Sequence, residues 1–101
     1  MRIIKLYQYL IKRSQQYEIA KQILRSGTSI GANIEEATGG VSKADFKHKL
    51  SISYKEARET HYWLKLLNKT GYIDNKMFES ISKDCVELNK ILYTILYKSK
   101  F

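Results

Sequence analysis

Phe46-Lys47-His48-Lys49-Leu50-Ser51-Ile52-Ser53-Tyr54-Lys55-Glu56-Ala57-Arg58-Glu59-Thr60-His61-Tyr62-Trp63-Leu64-Lys65-Leu66-Leu67 is the stretch that decides the fold. Within it Phe46, Leu50, Ser53, Ala57, Thr60, Leu64 and Leu67 recur at steps of four and three, the rhythm of side chains that share one face of an α-helix. Just ahead, Ser42-Lys43-Ala44-Asp45 resembles a capping box. There a hydroxyl accepts from a first-turn N–H, and a carboxylate sits at the positive end of the helix dipole. Gly71 closes the run, so the spacing predicts a helix near 28 residues long, about 42 Å at 1.5 Å per residue.

Outward from that rod the same rhythm repeats. Ala20, Ile23, Gly27, Ile30, Ile34 and Ala37 predict a helix from about Tyr17 to Thr38 with one heptad-like seam. Gly39-Gly40 is expected to end it through a left-handed C′ residue. Beyond Gly71, Asp74 is a plausible N-cap for a helix to about Tyr97, whose seam is Phe78, Ile81, Cys85, Leu88, Leu92 and Ile95. Ile3, Leu6, Tyr7 and Leu10 predict a short first helix from about Arg2 to Arg13, broken by Ser14-Gln15-Gln16. No clean period-two alternation marks a strand. Short connections between long helices force neighbours to run antiparallel. The expected architecture is therefore all-α: an up-down-up-down antiparallel four-helix bundle with a short first helix, one domain over residues 1–101.

Composition bounds what such a bundle can do. The chain has 101 residues, no proline, 18 Lys+Arg against 10 Asp+Glu and a net charge of +8, which leaves room for one core and not for separate cofactor and substrate domains. Residues 1–70 hold thirteen basic and six acidic residues (+7), and residues 71–101 hold five and four (+1). A bias of that kind steers polyanions toward the surface; its plainer role is to keep a small helical protein soluble. The longest stretch without charge is the nine residues from Ser26 to Ile34, far below the ~20 of a membrane span. With no visible secretory signal and a single cysteine, Cys85, a cytoplasmic address is expected.

Two helix faces do not fit a lone bundle. On the longest helix, Ile52, Glu56, Glu59, Trp63 and Leu66 form a second, weaker seam one position before the first. It is expected to leave Trp63 and Leu66 exposed, the mark of an interface, so a homo-oligomer is predicted. On the second helix the non-core face reads Gln22, Arg25, Ser26, Ser29, Asn33 and Glu36, small polar residues that weaken an exposed helix. Gly27 and Gly31 stand as G-x-x-x-G and admit another backbone closely. Arg25, Glu35, Glu36, Glu56, Arg58 and Glu59 could pair across the second and third helices, fixing register between helices or subunits.

Enzymatic signatures fail one by one. There is no phosphate loop, no strand-linked G-x-G-x-x-G and no C-x-x-C. The two histidines are too few for a di-metal carboxylate bundle. Arg58 stands three before His61 and would repel a metal, while Asp45 three before His48 reads as a surface pair. Ser80-Ile81-Ser82-Lys83 matches S-x-x-K without its partner motifs. Cys85, in a core seam, reads as a small hydrophobe. Neither a catalytic residue, a cofactor nor a metal is expected. Basic and aromatic residues instead interleave at Lys5, Tyr7, Tyr9, Lys12 and Arg13, and again at Lys47, Lys49, Tyr54, Lys55, Arg58, His61 and Tyr62. Nucleic-acid surfaces use that mixture, and so do bundle rims and subunit contacts.

The run Gln22-Ile23-Leu24-Arg25-Ser26-Gly27-Thr28-Ser29-Ile30-Gly31-Ala32-Asn33-Ile34-Glu35-Glu36-Ala37 adds a resemblance. It is followed by Ser42 to Phe46, Lys49-Leu50, Lys55 to Thr60 and Tyr62-Trp63-Leu64. Together these stretches resemble the four-helix-bundle proteins encoded in intervening sequences of bacterial 23S ribosomal RNA genes. Relatives of that family include the accessory variability determinant of diversity-generating retroelements. The resemblance implies a bundle that assembles into a ring, typically a pentamer, with a basic surface for RNA or DNA and no enzymatic activity. In the retroelement branch it implies a reverse transcriptase as partner. Members usually have a longer first helix, so residues ahead of Met1 are expected to be lacking.

The resulting expectation is a non-catalytic homo-oligomer binding structured RNA or DNA, with Lys5, Lys12, Arg13, Lys47, Lys49, Lys55 and Arg58 on phosphates. Arg25, Ser29, Asn33, Glu36, Glu56, Glu59, Trp63 and Leu66 are assigned to an oligomer interface or interhelix polar network. The alternative is a protein-interaction scaffold, for example for a reverse transcriptase, docking through Trp63, Leu66 and the polar face of the second helix.

Overall fold

Four helices account for the described residues in the expected places. The computed structural model describes residues 2–13, 17–40 and 42–98; the expected break at residues 14–16 lies outside them. α1 spans Arg2–Arg13, α2 Tyr17–Thr38, α3 Lys43–Lys69 and α4 Asn75–Tyr97. The caps are chemical. Ser42 Oγ accepts from the Asp45 N–H at 3.1 Å, and Asp74 Oδ1 accepts from the Met77 N–H at 2.7 Å, each filling one of the orphan donors at a helix start.

The turns differ from expectation in one respect. Gly39 and Gly40 end α2 without a left-handed residue; the positive φ among the described glycines is at Gly71, 84°. The Gly40 N–H instead bonds Ala37 O at 3.1 Å, and a Cβ on Gly40 would stand 2.8 Å from Asp45 Oδ2. That carboxylate ends a rotatable side chain and can turn aside, while Ala37 O, 3.2 Å from the same Cβ, is the firmer obstacle. At Gly71 glycine is needed for the turn itself, where the Tyr72 N–H returns to Leu67 O at 2.9 Å.

Packing follows chain order, α1 on α2, α2 on α3 and α3 on α4. The cross-helix bonds fix direction. Ser26 meets Thr60 while Ile30 meets Ser53, and His61 meets Ser82 while Ala57 meets Cys85; numbers rise on one helix as they fall on the next, so neighbours are antiparallel. α1 closes the bundle against α4, with the Arg2 guanidinium donating to Ser80 O at 3.1 Å and pairing with Asp84. The result is the four-helix bundle, 44 × 21 × 18 Å, its long dimension set by α3.

Because α1 is about 18 Å long and α3 about 40 Å, the bundle is not uniform. One end is a four-helix core around Leu6, Leu10, Ile23, Leu64, Leu67 and Ile81. The other is a three-helix core around Ile30, Ala37, Leu50, Ala57, Leu92 and Leu96. Between them an apolar cleft of about 260 Å³ opens beside Ile3, Gly31, Ile34 and Leu88. Half of the G-x-x-x-G pair is used: Gly27 is buried under Ile3 of α1, whereas Gly31 has nothing within 4 Å of where its Cβ would be.

Ser26 corrects the sequence reading. Placed with the non-core face, it is fully buried, and Thr60 Oγ1 donates to its hydroxyl at 2.8 Å. Ser53, equally buried, donates to Ile30 O at 2.9 Å. Small hydroxyls let α2 and α3 approach closely, and each bond offsets the cost of burying a polar group.

Candidate nucleic-acid interface

α3 carries three stripes. Its core seam faces the bundle interior, and helical spacing puts one polar stripe on each flank of that seam.

The flank toward α2 holds the ion-pair network. The Arg25 guanidinium donates to Glu56 Oε2 at 3.0 Å and to Glu59 Oε1 at 2.5 Å, and the Trp63 indole N–H donates to the same Glu59 oxygen at 3.2 Å. The Glu59 bond raises the Arg25 pKa, and the Arg25 bond holds the Glu59 carboxyl below its usual range. The pairing expected between helices is thus present for Arg25, Glu56 and Glu59. Glu36 pairs with Lys49 at 2.7 Å, and Arg58 stacks on Tyr54 instead of joining the network. Asn33 donates to Ser29 O and Oγ at 2.9 and 3.0 Å, so those two small polar residues are satisfied within α2. Trp63 and Leu66 are half-buried, not exposed, and Trp63 packs on the four-helix core.

The flank toward α4 is different in kind. Tyr54, Arg58, His61, Tyr62 and Lys65 repeat at helical spacing on α3. Asn89, Lys90, Tyr93 and Thr94 on α4, with Lys98 at its C-cap, face them across a groove of about 680 Å³, within the size range of ligand sites. Among the described residues its lining contains Arg58, Lys65, Lys90 and Lys98 and no carboxylate. Among the described residues, the ion pairs join Arg2 to Asp84, Arg25 to Glu56 and Glu59, and Lys49 to Glu36. None of them involves the four groove cations.

Rings lie among the charges. Tyr54 is 6.2 Å from Tyr93 and 6.3 Å from Tyr97, and Tyr93 is 5.0 Å from Tyr97, centroid to centroid. Tyr93, Tyr97 and Tyr62 remain 44%, 62% and 57% exposed, so their outer faces are open to a partner. The guanidinium of Arg58 stands 5.9 Å over the Tyr54 ring. His61 Nε2 lies 2.9 Å from Ser82 Oγ, and burial, reinforced by Lys65, lowers its pKa below 6.5. Asn89 Oδ1 is buried with no hydrogen-bond partner among the described residues.

Of the seven cations assigned to phosphate, the structure brings Arg58 into this groove. Lys55 borders an adjoining depression with Tyr54 and Tyr97. Lys47 lies on the same flank of α3, about 10 Å along the axis from Tyr54. Lys49 is engaged with Glu36. α1 packs on the other flank of α4, so Lys5, Lys12 and Arg13 stand apart; Lys5 sits beside Arg2 and Tyr9, and Arg13 lies 5.5 Å over the Tyr9 ring. Lys65, Lys90, Lys98 and Tyr93 were not singled out from sequence. Their signal was spacing: Lys65 completes the Tyr54–Arg58 stripe, and Lys90, Tyr93 or Thr94, and Lys98 recur along one side of α4.

The model of a protein family described as 23S rRNA-intervening sequence protein matches residues 1–94. Among solved structures, this chain is similar to a protein with unknown function from the S23 ribosomal protein family of Bacteroides thetaiotaomicron. The two are 52% identical with a TM-score of 0.93, over 95% of this chain and 89% of that one. None of the curated proteins matches.

Proposed function

The chain belongs to the 23S rRNA-intervening sequence protein family, and on that premise we propose that it is a non-catalytic, self-associating helical bundle that binds RNA or DNA through phosphate contacts. The observation that carries this reading is the α3–α4 groove, where four cations meet and no carboxylate stands among the described lining residues. Like charges gathered around a concave surface repel one another and raise the local concentration of anions; a polyanion removes the repulsion and releases its own counterions. Lys47 lies farther along the same flank of α3, and Lys55 borders the adjoining depression, which Glu59 also lines. Support for self-association is the half-buried Trp63 and Leu66, part of whose apolar surface the protomer leaves uncovered. Of the residues offered for a protein-docking scaffold, Arg25 and Trp63 donate to Glu59 within the protomer, and Asn33 donates to Ser29.

The test is fluorescence anisotropy with labelled structured RNA and duplex DNA at 50 and 200 mM salt. Four phosphate contacts give a log–log slope near −3.6, an affinity loss of about 150-fold over that interval. Absence of binding, or binding indifferent to salt, overturns the proposal. Light scattering on the same samples is expected to give a mass above 11.8 kDa; a monomer at micromolar concentration removes the self-association.

A further inference from the structure

We infer that the α3–α4 groove takes unpaired nucleotides, holding their phosphates on Arg58, Lys65, Lys90 and Lys98 and stacking exposed bases on the rings of Tyr93 and Tyr62. The inference rests on the proposed nucleic-acid function and specifies the form of the ligand.

Shape argues first. A furrow between two helices packed 8–10 Å apart is too narrow to admit a duplex, which could touch only the ridges beside it. One extended strand can lie along it. The lining from Tyr54 to Lys65 on α3 covers about 16 Å, and that from Val86 to Lys98 on α4 about 18 Å. At 3.4 Å per stacked residue that is room for at most about five nucleotides.

Chemistry argues second. Arg58 and Lys65 are about 10 Å apart along α3, and Lys90 and Lys98 about 12 Å apart along α4. Two cation rows thus border the furrow, and the open faces of Tyr93 and Tyr62 lie between cations of their own helices. A base offers its π-face to a ring only when it leaves its own stack, so a paired helix gains nothing from the tyrosines. Asn89, beneath the groove, adds a carboxamide whose acceptor is unspent and whose Nδ2 reaches no better partner than Cys85 Sγ at 3.8 Å. That group can turn toward a base edge once a ligand is in place.

The experiment compares a uridine dodecamer, a thymidine dodecamer and a fully paired hairpin in the full chain. The single strands are expected to bind at least about 10-fold more tightly than the hairpin. Tyr93→Leu keeps apolar bulk and removes the ring face. Its single-strand affinity should fall about 5- to 150-fold with an unchanged salt slope, while its hairpin affinity holds. Lys90→Gln should weaken both ligands and reduce the single-strand slope by about 0.7. Circular dichroism confirms that each variant is folded, and Tyr62→Leu repeats the ring test should Tyr93→Leu unfold. Equal binding of strand and hairpin with a silent ring variant overturns this inference and leaves the wider function standing. If neither ligand binds, the wider function fails as well.

Discussion

Gly27→Ala and Gly31→Ala, the same change four residues apart on one helix, should act in opposite directions. In a helix interior alanine is better than glycine by about 1 kcal/mol. At position 31 a new Cβ meets nothing within 4 Å, so that gain is expected in full, raising Tm by about 4–8 °C for a domain of this size. At position 27 the Cβ would stand 2.6 Å from Ile3 Cγ2, 3.0 Å from Cγ1 and 3.2 Å from Cβ. Because the contact reaches back to the Ile3 Cβ, side-chain rotation alone does not relieve it and α1 must retreat. Overpacking of that kind costs about 1–3 kcal/mol, which cancels or exceeds the helix gain and leaves a net loss of about 0–2 kcal/mol. Leu6 and Leu10, seated by the same helix, loosen with it. Thermal and urea unfolding of both variants, with amide exchange along α1, measure this. Combining Gly27→Ala with Ile3→Ala should recover at least about 1 kcal/mol relative to additivity. A Gly27→Ala protein stabilised as much as Gly31→Ala, and additive with Ile3→Ala, would refute the seating of α1 on α2.

Two further outcomes follow from buried groups. Unfolded chain protonates His61 near pH 6.5, but the folded protein resists because its site is desolvated and faces Lys65. The unfolded state therefore binds more protons, and stability should fall as pH drops below 6.5 until the folded pKa is passed; urea unfolding of His61→Gln should lack that component. Cys85 is buried against Ala57, where its thiol donates to the carbonyl at 3.3 Å, and burial pushes its pKa up to about 11. Alkylation near pH 8 should be slow in the native protein and fast in urea, and native labelling at the unfolded rate would mean that the α3–α4 seam opens readily.

Much of the fold was legible because its causes are local. Ser42 and Asp74 start helices by chemistry contained within one turn, and the apolar steps of three and four repeat over whole helices. Ser26 was misplaced because, read alone, a serine belongs on a wet face; its burial depends on Thr60, 34 residues away. Gly39 and Gly40 read locally as a left-handed helix end, but neither adopts a positive φ, which among the described glycines falls at Gly71. The groove was legible in part, through Tyr54, Arg58, His61 and Tyr62, because those residues share one helix. Lys90 and Lys98 come from the segment with a net charge of only +1, where a count of charges gives no hint of a basic site.

Periodicity and capping by themselves determined four helices, their order and their antiparallel run, since each rests on interactions within a few residues or on the shortness of a connection. Only the tertiary structure decided which polar stripe meets which. It set Arg25 against Glu56 and Glu59 on one flank of α3, and it set two lysine-bearing stripes face to face on the other. That choice turns on the rotation of each helix about its own axis, which the packing of Ser26, Ser53 and Thr60 at the α2–α3 contact helps to fix and which no single helix carries in its sequence.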